Sequence, residues 1–255
     1  MCHVVPRFWI VWLGITVAWV IRGGVAVGGP MTVDLNPTAD AFVSAANAES
    51  NFGAAGALAV AASGLAKGEF QSVLRFDASS AASSFDAAFG PGQWSVQGVV
   101  LVLNAAYPGN AIFNSQSSGQ FSASWMQNDS WLEGTGKPRD PTTDGIVFST
   151  LSSFLSGSDR GLGTFSFDGS TSGTAEYSLT LEGELLADVS AGDPVSLRLF
   201  AADSGIGYLC NARDYTTPEY RPTLSITAVP EPSGIALLLT AACALFGSIR
   251  IRKTR

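Results

Sequence analysis

Residues 195–200 read Val-Ser-Leu-Arg-Leu-Phe, and residues 224–227 read Leu-Ser-Ile-Thr. In both stretches apolar and polar side chains alternate with a period of two residues, which places one set on each face of an extended strand. One apolar and one polar face are typical of strands in a half-buried antiparallel sheet. These two segments therefore predict antiparallel β-structure toward the end of the chain.

Short segments of this kind recur along the chain, these two included, and they are separated by Gly, Ser, Asn, Asp and Pro. They are residues 41–44, 57–62, 72–76, 96–103, 121–126, 146–149, 164–167, 177–181, 195–201 and 223–228. Many short strands between turn residues are typical of a sandwich or a barrel. Residues 99–103 are apolar throughout, which predicts a strand buried on both faces. Only residues 79–89 and 184–189 are predicted to form short helices.

The N-terminus has the pattern of a secretion signal. Arg7 precedes an uncharged run, residues 8–21, and small residues follow it. A basic start, an apolar core and small residues are the three parts of a secretory signal peptide. A helix of this length rises only about 21 Å, short of a roughly 30 Å hydrocarbon core, which disfavours the alternative of an uncleaved anchor. We predict that residues 1–28 are a signal peptide, handled by Sec-type export machinery and signal peptidase.

The C-terminus carries a second apolar segment. Residues 233–249 contain no charge and are followed by Arg250, Arg252, Lys253 and Arg255. An apolar run near the lower length limit for spanning, ended by a basic cluster, is expected to stop in the membrane with its positive end in the cytoplasm. This pattern predicts a transmembrane helix, with the residues between the two apolar segments outside the cell.

A short motif, Pro230-Glu231-Pro232, stands just before this apolar run. Together with the run and with the basic residues Arg250 and Arg252, it resembles the PEP-CTERM sorting signal. The resemblance covers residues 229–255 and implies cleavage by an exosortase-type enzyme, in bacteria that make extracellular polysaccharide. It also implies a cell-surface or extracellular-matrix location after a transient stay in the inner membrane. The alternative is an ordinary tail anchor.

The charge between the two ends excludes one class of partner. Residues 29–228 contain eight basic and twenty acidic side chains, a net charge of −12. A surface of this sign repels phosphate backbones, so nucleic-acid binding is not expected. Cys210 is the one cysteine of this region, and a lone cysteine forms no internal disulfide.

Six short motifs are spread over residues 29–228. They are Asp40-Ala41-Phe42-Val43, Asn51-Phe52-Gly53, Leu58-Ala59-Val60, Leu74-Arg75-Phe76-Asp77, Trp131-Leu132-Glu133-Gly134-Thr135-Gly136 and Arg221-Pro222-Thr223-Leu224. In this order they resemble the DNRLRE domain, a jelly-roll-like module of secreted bacterial proteins that is similar to carbohydrate-binding modules. The resemblance implies one all-β domain, an antiparallel β-sandwich of jelly-roll type, between the signal helix and the transmembrane helix.

The sequence offers little for catalysis. Its one histidine, His3, lies in the predicted signal peptide, which excludes Ser-His-Asp and Cys-His catalysis and histidine-bound metals in the domain. Two carboxylates suffice for a glycosidase, and the candidate pairs are Asp129 with Glu133, Asp140 with Asp144, and Glu182 with Glu184. A lyase that uses Tyr, Lys67 or Lys137 as its base is the other enzymatic alternative. We predict no catalytic residue and a non-enzymatic protein.

Aromatic side chains are the candidates for sugar binding. The apolar face of a pyranose packs on an aromatic ring while its hydroxyls bond to polar neighbours. The predicted set is Tyr208, Tyr215, Tyr220 and Trp131, with Tyr107 and Trp125 as further aromatic candidates. For the two tryptophans the alternative is a place in the core.

A structural calcium ion is the one cofactor considered. Hard oxygen ligands suit calcium, and Asp34, Asn36, Asp40 and Asn51 lie close together in sequence near the start of the domain. The alternative is a set of acidic turns that need no metal. Taken together, the sequence predicts an exported protein that binds, or is part of, an extracellular polysaccharide matrix. A polysaccharide lyase or glycoside hydrolase and a purely structural surface protein are the alternatives.

Overall fold

The computed structural model describes residues 28–109, 113 and 116–231. These residues form strands β1 (Met31–Leu35), β2 (Pro37–Ser44), β3 (Ala57–Ala61), β4 (Phe70–Asp77), β5 (Trp94–Asn104), β6 (Gly119–Met126), β7 (Arg160–Phe167), β8 (Thr174–Ser178), β9 (Pro194–Ala201), β10 (Gly207–Asn211) and β11 (Thr223–Pro230). The helices are α1 (Ser79–Phe89), α2 (Phe148–Leu151) and α3 (Gly183–Ala191). Residues 1–27 of the predicted signal peptide, and the predicted tail beyond Glu231, lie outside the described residues.

The strands form two antiparallel sheets. The smaller sheet has the order β1-β11-β5-β8, and the larger has the order β10-β3-β4-β9-β6-β7, with β2 also pairing with β4. In β9, Leu197 lies opposite Leu74 of β4, and in β11, Leu224 lies opposite Leu101 of β5. These registers carry the apolar residues of neighbouring strands to the same face of each sheet.

A shared core joins the two sheets. The alternation that opens the sequence is confirmed, because Val195, Leu197 and Leu199 of β9 and Leu224 and Ile226 of β11 are all buried in one cluster. That cluster also takes in buried residues of α1 and α3. Each fully buried Val, Leu or Ile side chain contributes about 1.5–3 kcal/mol, so this core is the main source of stability. The predicted antiparallel sandwich is therefore present in the described residues.

A second core lies on the other side of β2 and β4, under the connection from β6 to β7. Trp131 from this connection is completely buried against Ala41 and Val43 of β2 and Val73 of β4. Its indole nitrogen donates a hydrogen bond to the Ser196 hydroxyl at 3.0 Å. The long connection is therefore anchored on the sheet, although it forms little regular structure of its own.

Three local predictions are wrong. Val100 and Val102 are only half-buried, so the stretch 99–103 is buried on one face, not two. Residues 146–149 do not form a strand, because the chain turns into α2 at Phe148. Strands β1 and β10 were missed, and β10 is buried at all five positions, which removes the alternation that reveals a half-buried strand. The two predicted helices are confirmed as α1 and α3.

The end of the sandwich meets the predicted sorting motif. Strand β11 continues through Pro230, and the Glu231 backbone N–H donates to the Gln93 carbonyl at 2.9 Å. The fold thus includes Val229 and Pro230, which the sequence placed in the tail, whereas Pro232, Arg250 and Arg252 lie outside the described residues. Within the described part of the chain, no helix combines the length and apolar character needed to cross a membrane.

Candidate functional site

A cleft of about 620 Å³ opens where β5 and β10 end and β3 and β8 begin. Two of the tyrosines that line it are strongly exposed, Tyr107 by 78% and Tyr220 by 50%, and Tyr215 is half-buried. Asn104, Asn211 and Thr174 supply polar groups to the same cleft. The central cleft, as we call it, thus combines open aromatic rings with uncharged hydrogen-bonding groups, and none of its lining residues is charged.

Hydrogen bonds from neighbouring side chains hold two of these tyrosines in place. The Asn211 side-chain amide donates to the Tyr220 carbonyl at 3.0 Å, and the Arg221 Nε donates to the Tyr215 carbonyl at 2.8 Å. Pro218 begins a short 3-10 turn, Pro218–Tyr220, that leads into β11. Because the backbone is fixed at both residues, little ordering is required of it when a ligand binds.

A smaller cleft of about 230 Å³ adjoins the central cleft. The buried residues Phe167, Tyr177 and Tyr208 line it, and the ring centroids of Tyr208 and Phe167 are stacked 3.9 Å apart. Burial raises the pKa of both tyrosines above the usual value, so their hydroxyl groups stay protonated. Asp168 supplies the one charged group of this outer cleft, and it is exposed.

A third cleft, of about 610 Å³, lies on the other side and is basic. Lys137, Arg213 and Arg221 line it, together with Asp214. These are three of the eight basic residues in a domain whose net charge is −12. Basic side chains suit a carboxylate or sulfate group on a ligand, and of these three Arg213 already pairs with Glu133 at 2.6 Å.

A partly buried ionic cluster supports this basic cleft. The Arg213 Nε and Nη2 donate to the two carboxylate oxygens of Glu133, each at 2.6 Å. The Arg213 backbone N–H donates to Asp40 Oδ2 at 2.7 Å, and the Asp40 N–H donates to Glu133 Oε1 at 3.2 Å. Asp40 is completely buried and its Oδ1 has no hydrogen-bond partner. Burial raises the pKa of Asp40 from 3.8 to about 7.

The predicted calcium ligands with recorded hydrogen bonds have separate partners in the structure. Asp34 lies on β1 and accepts a hydrogen bond from the Ser225 hydroxyl, and Asn36 is exposed. Asn51 uses its side-chain oxygen to accept from two backbone N–H groups, and Asp40 belongs to the ionic cluster. Among the described residues, no group of three or more His, Cys, Asp or Glu side chains has an arrangement that could hold a metal ion. The calcium site therefore stays a prediction.

The predicted carboxylate pairs have other partners. Glu133 binds Arg213, Asp144 accepts hydrogen bonds from Thr135 and Thr142, and Glu184 pairs with Arg160 at 2.8 Å. None of these paired carboxylates lines any of the three clefts. The acidic residues of the clefts are Asp168 in the smaller cleft and Asp214 in the basic cleft. Burial also raises the pKa of the Cys210 thiol, which makes it a poor nucleophile. None of these three clefts in the described part of the chain therefore offers a pair of carboxylates across a substrate.

The structure divides the predicted aromatic set. Tyr215 and Tyr220 line the central cleft, where Tyr107 joins them. Trp131 is 0% and Tyr208 is 2% exposed, so neither ring offers an open face to a sugar at the surface. Sequence reasoning missed Asn104 and Asn211, because only the tertiary structure carries the ends of β5 and β10 to the same cleft.

One comparison with known proteins bears on this site. Residues 31–135 match the family model of carbohydrate-binding module family 96. No curated protein matches the chain. The described residues thus include a β-sandwich that is similar to carbohydrate-binding modules. This similarity suggests a binding role, not a catalytic one. The matched segment includes Asn104 and Tyr107 but ends before Tyr215 and Tyr220.

Proposed function

We propose that this protein binds polysaccharide, without catalysis, through the central cleft. The observation that carries the proposal is the convergence of Tyr107, Tyr215 and Tyr220 on one uncharged cleft, in a sandwich whose first half matches a carbohydrate-binding family. Tyrosine rings pack against the apolar faces of sugars, and Asn104 and Asn211 provide partners for hydroxyl groups. The lack of a facing carboxylate pair disfavours the hydrolase alternative.

Replacing Tyr215 or Tyr220 by Ala is expected to lower the affinity for the bound polysaccharide about tenfold each, because each variant removes one ring of the platform. The measurement is affinity electrophoresis of the full chain in gels that contain arabinoxylan, galactomannan, mixed-linkage β-glucan, xanthan or polygalacturonate. Tyr220→Phe keeps the ring and should retain most of the affinity.

The matched control is Leu132→Ala, which removes an exposed apolar side chain outside the three clefts. This variant should migrate as the unmodified chain does. If Leu132→Ala weakens binding as much as the tyrosine variants do, the central cleft is not the site. Absence of retardation in every gel would favour a purely structural surface protein.

Export and surface attachment are part of the same proposal. They rest on the predicted signal peptide, on Pro230-Glu231-Pro232 and on the basic end of the chain. An extracellular location agrees with a fold similar to carbohydrate-binding modules. We expect exosortase-type processing to separate the sandwich from residues beyond the motif, which intact-mass analysis of the surface-attached protein would reveal.

We also propose that the sandwich is of jelly-roll type. Its first strand, β1, pairs with its last, β11, in the smaller sheet, and β5 lies between β11 and β8. In the larger sheet, β9 returns to lie between β4 and β6. Strands that are distant in sequence and adjacent in both sheets are the mark of two interlocked Greek keys.

A further inference from the structure

The central cleft is continuous with both outer clefts. It shares Ala55 and Gly56 with the basic cleft, and it shares Ala105 and residues 172–174 with the smaller cleft. The three clefts, of about 610, 620 and 230 Å³, therefore follow one another in a row.

Small residues form both junctions. At one junction the residues are Ala55 and Gly56, and at the other they include Ser172 and Gly173. Gly56 and Gly173 have φ of +72° and +99°, a conformation that disfavours larger residues, and a Cβ at either position would meet no atom within 4 Å. The space above the two glycines is thus open, so a ligand can pass from one cleft to the next.

Both outer ends of this row are open to solvent. Exposed Lys137 and Asp214 stand at the basic end, and exposed Ser166 and Asp168 stand at the other. A site for a chain terminus requires a wall that stops the chain, whereas among the described residues exposed side chains line both outer clefts. The two ends also differ in charge, which gives the groove a direction.

We propose that the three clefts form a single groove that takes an internal stretch of a long polysaccharide chain. This inference rests on the proposed function and adds to it the class of ligand, the interior of a polymer. The sugars at the centre stack on the tyrosines, and the chain leaves at both ends. Because sugars in the outer clefts add contacts, affinity rises with chain length beyond what the central cleft alone accommodates.

The test uses oligosaccharides of two to eight sugars, prepared by partial hydrolysis of whichever panel polymer retards the full chain in the gels. Calorimetric titration of the full chain should give at least about tenfold higher affinity for the octasaccharide than for the disaccharide. Ser172→Trp places a large ring at one junction and should reduce this ratio to about half or less. Ser83→Trp, on an exposed position of α1 outside the clefts, is the matched control and should keep the ratio.

A second measurement separates chain interiors from chain ends. Hydrolysis of the polymer to half its length doubles the number of ends per gram, so an end-binding protein would double its binding capacity. We expect an unchanged capacity per gram. The groove would be overturned if the affinity did not increase beyond the disaccharide, or if the binding capacity increased with the number of chain ends. Either result would be compatible with the proposed function. If the full chain bound none of the panel polymers, both the groove and the proposed function would be overturned.

Discussion

Replacement of Asn51 by Asp is expected to lower the free energy of unfolding by at least about 3 kcal/mol. The Asn51 side-chain nitrogen donates to the carbonyls of Glu133 at 2.7 Å and Ile146 at 2.9 Å. Its oxygen accepts from the N–H groups of Gly53 and Gly136, both at 3.0 Å. Asn51 is completely buried, so none of these groups has water as an alternative partner.

An Asp side chain cannot reproduce this pattern. When ionised it turns an oxygen toward two carbonyl oxygens, and when protonated it donates to only one of them. The site also has no room to relax, because a Cβ at Gly53 would clash with the Glu133 carbonyl and one at Gly136 would clash with the Asn51 carbonyl. The loss should therefore include both the hydrogen bonds and an uncompensated buried polar group.

The measurement is urea unfolding at pH 7, with Asn128→Asp as the matched control. Asn128 is only partly buried and uses its side-chain oxygen to accept from the Ser130 N–H and hydroxyl, which a carboxylate also does. Asn128→Asp should change the free energy of unfolding by less than about 1 kcal/mol. An equal effect of the two substitutions would show that the bonds of Asn51 contribute no special stability.

Replacement of Asp40 by Asn is expected to alter how stability depends on pH. Burial raises the folded-state pKa of Asp40 to about 7 from 3.8, so the folded protein holds a proton that the unfolded chain releases. The stabilisation from this protonated carboxyl is fully present below about pH 4 and is lost as the pH rises through 7. Asn has no proton to lose. The stability of Asp40→Asn relative to the unmodified chain should rise by about 4 kcal/mol between pH 4 and pH 8.

Urea unfolding at half-unit pH steps over this window measures the difference. The window avoids Asp144, whose pKa is lowered to about 2 by hydrogen bonds from Thr142 and Thr135 and whose stabilisation is lost only as the pH falls toward that value. Asp34→Asn removes an exposed carboxylate of β1 and shows the effect of net charge alone. If the difference in free energy of unfolding between Asp40→Asn and the unmodified chain did not vary with pH, the pKa of Asp40 would be close to that of an ordinary carboxyl group.

Both sites support the clefts. Asn51 anchors the segment around Glu133, and Glu133 in turn binds the guanidinium of Arg213 in the basic cleft. Asp40 accepts from the backbone of Arg213, two residues before Tyr215 of the central cleft. The buried polar residues near the start of the domain therefore act as supports for the loops that line the groove.

How far the sequence predicted the site depended on the range of the interactions. The sequence predicts Tyr215 and Tyr220 as aromatic candidates for sugar binding, and both line the central cleft. Tyr208 was named for the same reason, but β10 carries it inward against Phe167. The sequence predicts Asp40 and Asn51 as metal ligands from their short separation, but it did not reveal the partners they have more than eighty residues away, Glu133 among them.

The sequence by itself determined that the described domain is built of antiparallel strands, because alternation such as that of residues 195–200 depends only on neighbouring residues and the two faces of a strand. It also determined that histidine-dependent chemistry is absent between the two apolar ends. Only the tertiary structure decided which aromatic rings are open and which polar residues meet. Burial and contact at these positions depend on strands that pair across the whole length of the domain, and such pairing leaves no local pattern in the sequence.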